Sequence, residues 1–277
     1  MLVNGEQADT ISVQDRGLLY GDGIFETILC QQGIPLLLDL HLQRLQRGCQ
    51  ALHLTQPAET VLKQEITSVA EGQDCVIKII ITRGVRARGY RFDQHDATSQ
   101  RIVYASPCPE IPAAYYQQGI KLGVSDFRLA NNPQLDGIKH LNRLEQVMAC
   151  HPWPDDCAEV LTLDQHGHVI EGTMTNVFAD IDGICCTPAL DQAGINGVMR
   201  EWLIQQLAEL TIDCQIKPLT LTDLKRASSL FVCNSVMGIW PVHTLQQQSY
   251  GCSAVTEKLM HHLNQHLSAR FLTFEHA

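Results

Sequence analysis

The chain has 277 residues, of which 45% are hydrophobic and 18% charged, and its formal net charge is −10. That length suffices for about two domains with a real core, and the composition is ordinary for a globular protein. The acidic balance argues against nonspecific nucleic-acid binding, which needs a basic face.

Residues 1–37 read as short strands and turns, with Phe25 to Cys30 and Ile34 to Leu38 flanking a hairpin turn at Gln31-Gln32-Gly33. Residues 39–54 read as a helix with Asp39 as N-cap and Leu42, Leu45, Cys49 and Leu52 on one apolar face. Arg44 falls on the opposite side, a solvated charge by period alone. A second amphipathic helix follows over 57–71, through Val61, Leu62, Ile66 and Val69, and then a strand over 76–82. From Arg83 to Arg91 run four arginines and two glycines. Such a cationic loop is either a solvated edge or a carboxylate clamp, because a guanidinium grips a carboxylate bidentately. A strand over 101–106 closes a first domain, residues 1–106. Pro107, Pro109 and Pro112 cannot continue a ladder or a helix, so residues 107–116 read as the linker to a second domain over 117–277.

The second domain opens with a strand over 120–127. Turns at Asn131-Asn132-Pro133 and Asp136-Gly137 then deliver Lys139 to the start of a helical pattern carried by Leu141, Leu144 and Val147. A lysine fixed in direction there suits an amine that attacks a carbonyl, as a Schiff-base lysine does, although a solvated loop lysine has the same spacing. Strands at 158–163 and 168–172 flank a turn, and Glu171 begins Glu-Gly-Thr-Met-Thr-Asn ahead of the apolar Val177-Phe178-Ala179. By itself Glu171 reads equally as a strand-end carboxylate paired with a surface cation. Gly194-Ile195-Asn196-Gly197 leads into a helix from Val198, whose unpaired N–H groups and positive dipole end offer an anion site, although a plain glycine turn before a helix has the same pattern and is commoner. A strand over 212–219, a short helix over 221–228 and an apolar strand ending at Asn234-Ser235 follow. Trp240-Pro241 reads as part of an edge or closing strand, and 253–268 as the last helix.

The eleven cysteines are scattered without a C-x-x-C pair, so no disulfide framework is expected and a reducing cytoplasm is the natural home. Neither His166 with His168 nor the His261, His262 and His266 group has the partners of a metal motif, so no metal is expected. The start, Met1-Leu2-Val3-Asn4-Gly5-Glu6, does not read as a signal peptide, and the apolar runs fall short of the ~18 residues that span a bilayer, so no membrane partner is expected.

Taken together, Asp15-Arg16-Gly17, Gly21-Asp22-Gly23-Ile24-Phe25-Glu26, His41-Leu42-Gln43-Arg44-Leu45, Arg83-Gly84 with Arg88-Gly89-Tyr90, the Lys139 segment, Glu171 with Asn176, Gly194 to Arg200 and Asn234-Ser235 resemble, in order and over nearly the whole chain, the fold-type IV pyridoxal-phosphate enzymes. The run Ile138 to Val147 most resembles the aminodeoxychorismate lyases among them. The resemblance implies an α/β fold of two domains, the smaller N-terminal, with pyridoxal 5'-phosphate in the cleft between them. It makes Lys139 the Schiff-base lysine and places Glu171 on the ring nitrogen. The phosphate falls to Arg44, the amides of Val198 and Met199, and Asn234 with Ser235. Arg88 and Tyr90 fall on the residues that trap a substrate carboxylate in related D-amino-acid aminotransferases, where a histidine stands in place of Tyr90. The implied enzyme is a homodimer acting on a small substrate with two carboxylates, as a lyase that forms 4-aminobenzoate and pyruvate. An aminotransferase of the same fold, acting on D- or branched-chain amino acids, would use the same site residues, and a noncatalytic binding protein would keep the fold without needing Lys139 or Glu171.

Overall fold

The computed structural model describes residues 1–92 and 98–267; residue 268, where the last helix was expected to end, lies outside them. The chain forms two compact units, one of Met1–Pro109 with Ile138–Arg143 and the other of Glu110–Gly137 with Leu144–Ala277. The architecture is mixed α/β, as the sequence implies.

Unit one contains β1 (Leu2–Val3), β2 (Glu6–Gln7), α1 (Arg16–Tyr20), β3 (Gly23–Gln31), β4 (Ile34–Pro35), α2 (Leu38–Ala51), α3 (Glu59–Ala70), β5 (Cys75–Thr82) and β6 (Gln100–Ser106). Its sheet has the order β2-β1-β6-β5-β3-β4. Alternation along β5 buries Ile77, Ile79 and Ile81 completely, while Lys78 and Ile80 point to the opposite face and are only partly covered. Leu45 of α2 and Leu62 and Ile66 of α3 are equally buried and complete this core. Leu37, in the left-handed region at φ 53°, rather than Asp39, is the N-cap of α2.

The segment Ile138–Arg143 is expected from the sequence in the second domain, at the head of a helix. It is instead a strap on unit one. Phe25 N–H donates to Lys139 O at 3.0 Å and Leu141 N–H to Gly23 O at 2.9 Å, with a bridge between Ile24 and His140. The cause is the short β4, which pairs only with Cys30 and Gln31 and leaves the first half of β3 as an edge whose polar groups the strap satisfies. Helix α5 begins only at Leu144, after the short α4 (Ala113–Gln117) and the long strand β7 (Ile120–Leu129), and ends at Ala149. Leu144 and Val147 are 71% and 62% exposed, so the apolar row expected behind the lysine does not pack into this chain's core.

Unit two continues with β8 (Glu159–Asp164), β9 (His168–Gly172), β10 (Asn176–Ile181), β11 (Ile184–Pro188), α6 (Val198–Glu209), β12 (Cys214–Lys217), β13 (Leu219–Thr220), α7 (Leu221–Arg226), β14 (Ser229–Asn234), β15 (Gly238–Leu245), β16 (Gln248–Ser249) and α8 (Ala254–Leu267). The sheet runs β12-β11-β10-β14-β15-β7-β8-β9-β13, with β16 on β15. The strand holding Trp240-Pro241 is therefore central, not at an edge. Pro241 is tolerated because pairing with β7 starts only at Val242 and is bulged between Val242 and Thr244, so no β7 rung requires its missing N–H.

Candidate functional site

In unit one the lysine strap fixes Lys139 against β3. Lys139 Nζ lies 4.4 Å from the centroid of the Phe25 ring, and Lys78 Nζ lies 4.2 Å from the same ring. Burial pushes the Lys78 amine below its ordinary value. Its neighbour across the strands is Thr27, whose hydroxyl accepts from Nζ at 3.2 Å.

Glu26 follows Phe25 and so faces the other side of β3. There it is 1% exposed and meets α2: His41 Nδ1 is 2.6 Å from Oε2, Arg44 Nε donates to Oε1 at 2.8 Å, and Nη2 donates to Oε2 at 2.5 Å. Burial alone would raise the Glu26 carboxyl, but Arg44 and then His41 outweigh it and hold it at about 2. Burial pushes His41 downward against the pull of Glu26, so this trio is a carboxylate, a guanidinium and a neutral imidazole. Arg44, expected on the solvated side of its helix, is buried because its countercharge is buried with it. Two of its donors go to Glu26, a residue whose place in the Gly21 to Glu26 motif carries no sign of this role in the sequence.

Next to Lys139 on the strap, His140 Nε2 is 2.7 Å from Arg143 Nη2. Burial, helped by the charge of Arg143, pushes His140 down to about 4, so it is a neutral acceptor. In the cationic loop Tyr90 is 82% exposed, and Arg88 is exposed with no hydrogen-bond partner among the described residues.

Unit two supplies a carboxylate and an anion site joined by one turn. Glu171, at the end of β9 and 4% exposed, accepts from Ile195 N–H at 2.8 Å through Oε2. Asn176, at the start of β10, donates from Nδ2 to Ile195 O at 3.0 Å and accepts from Gly197 N–H at 3.1 Å. Gly197 is the N-cap of α6 and has no side chain to cap it, so the N–H groups of Val198 and Met199 begin the helix without a capping side chain. A Cβ at Gly197 would lie 2.0 Å from Asn176 Oδ1, so only glycine permits this approach. Arg200, one residue further on, donates to Asn196 Oδ1 at 2.8 Å and to Pro188 O at 2.9 Å, which ties the glycine turn to β11. Asn234 uses both ends of its side chain: Oδ1 accepts from the N–H groups of Val236 and Met237, both at 2.9 Å, and Nδ2 donates to Met174 O at 3.2 Å, while Ser235 beside it is half-buried.

One contributor carried no signal in the sequence. Glu159 of β8 is fully buried, and it accepts from Thr173 N–H and Oγ1 at 3.1 and 2.7 Å, from Met174 N–H at 3.2 Å and from Thr175 Oγ1 at 3.0 Å. It thereby shapes the turn between Glu171 and Asn176. An isolated Ala-Glu-Val at the start of a strand offers no spacing by which to find it.

A helix start that gathers N–H groups, a glycine cradle that a Cβ would fill and a buried carboxylate held by the same turn fit a group with a phosphate at one end and a basic ring nitrogen at the other. The family model for amino-transferase class IV matches residues 23–245. The chain belongs to the class IV aminotransferase family. It is 35% identical over 242 residues to aminodeoxychorismate lyase of Vibrio harveyi, covering 87% of this chain and 89% of that one. It is also similar to the crystal structure of 4-amino-4-deoxychorismate lyase from Pseudomonas aeruginosa, with a TM-score of 0.91 and 40% identity over 97% of this chain and 99% of that chain. A putative branched-chain-amino-acid aminotransferase of Methanocaldococcus jannaschii is 32% identical over 257 residues, 87% of this chain and 85% of that one. Class IV enzymes depend on pyridoxal phosphate, the group for which the residues of unit two are suited.

Proposed function

We propose that this class IV enzyme is a pyridoxal-phosphate-dependent lyase that converts 4-amino-4-deoxychorismate to 4-aminobenzoate and pyruvate. Lys139, clamped to β3 and the sole lysine on its strap, carries the assignment to amine chemistry. The run Lys139-His140-Leu141-Asn142-Arg143-Leu144-Glu145 and the likeness to two lyases favour elimination over transamination.

Pyridoxal phosphate, when bound, supplies an electron sink for the carbanion formed beside the substrate nitrogen. Lys139 would hold the group through its aldehyde. Its freed Nζ then takes the proton from the carbon that bears the substrate nitrogen, and returns a proton to the departing enolpyruvyl group. Loss of that group gives an aromatic ring, which drives the reaction forward. Glu171 would face the ring nitrogen and favour its protonated form. The amides of Val198 and Met199, at the positive end of α6, take the phosphate with Asn234 and Ser235. Arg44 adds a smaller share than its charge suggests, because Glu26 already offsets it. Arg88, with Tyr90, takes one substrate carboxylate. The enzyme works as a homodimer in the cytoplasm, in keeping with eleven free cysteines; among the described residues no helix is long and apolar enough to cross a membrane.

Lys139→Ala removes both the visible absorbance of the bound cofactor and 4-aminobenzoate formation; full turnover by this variant would end the assignment. The 32% likeness to an aminotransferase favours a second reading, transamination in the same site. The two part on one experiment: given 4-amino-4-deoxychorismate and no keto-acid acceptor, the lyase makes 4-aminobenzoate and an aminotransferase stalls.

A further inference from the structure

The cationic loop is not free to swing, and one residue holds both of its ends. Arg16, 3% exposed at the start of α1, donates its backbone N–H to Gly84 O at 3.0 Å. Its side chain reaches the other end, where Nη1 donates to Gly89 O at 2.5 Å and Nη2 to Tyr90 O at 3.2 Å. The guanidinium carbon also lies 4.9 Å from the Tyr20 ring, which meets the Tyr90 ring edge-on at 5.3 Å. Arg88 lies within this staple.

The third donor of the Arg16 fork, Nε, goes to Asp22 Oδ2 at 2.8 Å. Arg83, at the entrance to the loop, grips the same carboxylate through Nε at 2.8 Å and Nη2 at 3.0 Å. Burial opposes ionisation of Asp22, but Arg83 and Arg16 together lower its carboxyl below the ordinary range. Asp22 occupies a telling place in the chain. The residues on either side of it hold the lysine strap: Gly21 O accepts from Asn142 Nδ2 at 3.1 Å, and Gly23 O accepts from Leu141 N–H at 2.9 Å. Gly21 is at φ 65°, and a Cβ there would fall 2.2 Å from Asn142 Oδ1, so the approach of the strap requires a residue without a side chain. Three consecutive residues thus fasten the loop through a carboxylate and the strap through two carbonyls.

We propose that Arg16 and Asp22 are positioning residues that hold the Arg88 loop in the conformation in which Arg88 grips a substrate carboxylate. The inference rests on the reading of Arg88 as a carboxylate ligand. A lysine in place of Arg16 keeps the charge but loses the fork that reaches Asp22 and two carbonyls together. In the holoenzyme, Arg16→Lys is expected to raise KM for 4-amino-4-deoxychorismate by ~10-fold or more, in line with the loss of hydrogen bonds from a charged donor, with kcat within about threefold of the parent. The affinity of the apoenzyme for pyridoxal phosphate, titrated by absorbance, stays unchanged. Asp22→Asn, which disorients both arginines, moves KM in the same direction and serves if Arg16→Lys does not fold.

The decisive measurement is the double variant. If Arg16 acts through Arg88, then Arg16→Lys in an Arg88→Ala background adds less than about twofold to KM. Multiplying effects, an unchanged KM in both Arg16→Lys and Asp22→Asn, or a loss of cofactor affinity matching the rise in KM would overturn the inference and leave Arg16 a structural residue. An Arg88→Ala enzyme with unaltered KM would instead remove the carboxylate reading on which it stands.

Discussion

Glu26→Gln removes the carboxylate from a buried trio while keeping its shape. In the parent, the carboxyl is held at about 2 against an ordinary 4.5, with Arg44 the strongest stabilising influence after burial is overcome. A gap of about 2.5 in pKa corresponds to about 3 kcal/mol of folded-state preference for the ionised form. The sign follows from the direction of the shift. Because the folded value is the lower one, this stabilisation is complete above pH 4.5 and drains away as the pH falls towards 2. Glutamine offers one acceptor oxygen in place of two and sets an NH2 against a guanidinium, so Arg44 is left buried without its countercharge. Removing one partner of a buried pair costs about 3–5 kcal/mol, which agrees with the figure from the pKa. Urea denaturation of parent and Glu26→Gln across pH 3 to 7 should therefore show a constant gap of about 3 kcal/mol near neutrality that narrows below pH 4.5. A gap independent of pH would refute the view that the ionised carboxylate, and not its packing, stabilises the trio.

Three further outcomes follow from the geometry. Gly197→Ala puts a methyl 2.0 Å from Asn176 Oδ1 and should weaken cofactor binding by ~10-fold or more through displaced helix N–H groups, read by titrating the apoenzyme with pyridoxal phosphate; unchanged affinity would move the phosphate away from α6. His140 is pushed down to about 4 by burial and Arg143, so its ring resonances should stay flat from pH 8 to 5 by NMR and titrate only in more acid solution. Its folded value lies below its unfolded one, so its contribution to stability is complete above pH 6.5 and lost as the pH drops below that; titration near 6.5 would show the ring to be solvated. Glu159→Ala strands the N–H groups of Thr173 and Met174 beneath the Glu171 turn, at about 1–3 kcal/mol each, and should lower both melting temperature and cofactor affinity; a variant as stable as the parent would refute this account of the turn.

The parts of the fold that could be read from the sequence were those set by local chemistry. The glycine turn before Val198 and the helix it starts, the hairpin around Gln32 and the proline-rich break after Ser106 each follow from residues adjacent in the chain. What could not be read depends on partners far apart in sequence. Arg44 looks solvated because helical period counts only apolar neighbours, whereas Glu26 is 18 residues away on a strand. Lys139 looks like the head of a helix because Leu141, Leu144 and Val147 share a period, yet an unpaired edge of β3 draws the backbone into extended pairing. Pro241 looks marginal to a sheet because the bulge that accommodates it has no signature of its own. Glu159 is invisible for the same reason: the turn that it shapes lies 14 to 16 residues downstream.

The strap that bears Lys139 also bears on how the chain can be divided. Cut after Pro109, the N-terminal fragment would keep the complete frame of β3 and lose the six residues that cover its first half. The bare strand would then present N–H and C=O groups to any extended chain in solution, the usual start of edge-to-edge aggregation. Autonomous expression of residues 1–109 is thus a poor route to a soluble domain, and co-supplying a peptide spanning Ile138–Arg143 is the natural remedy.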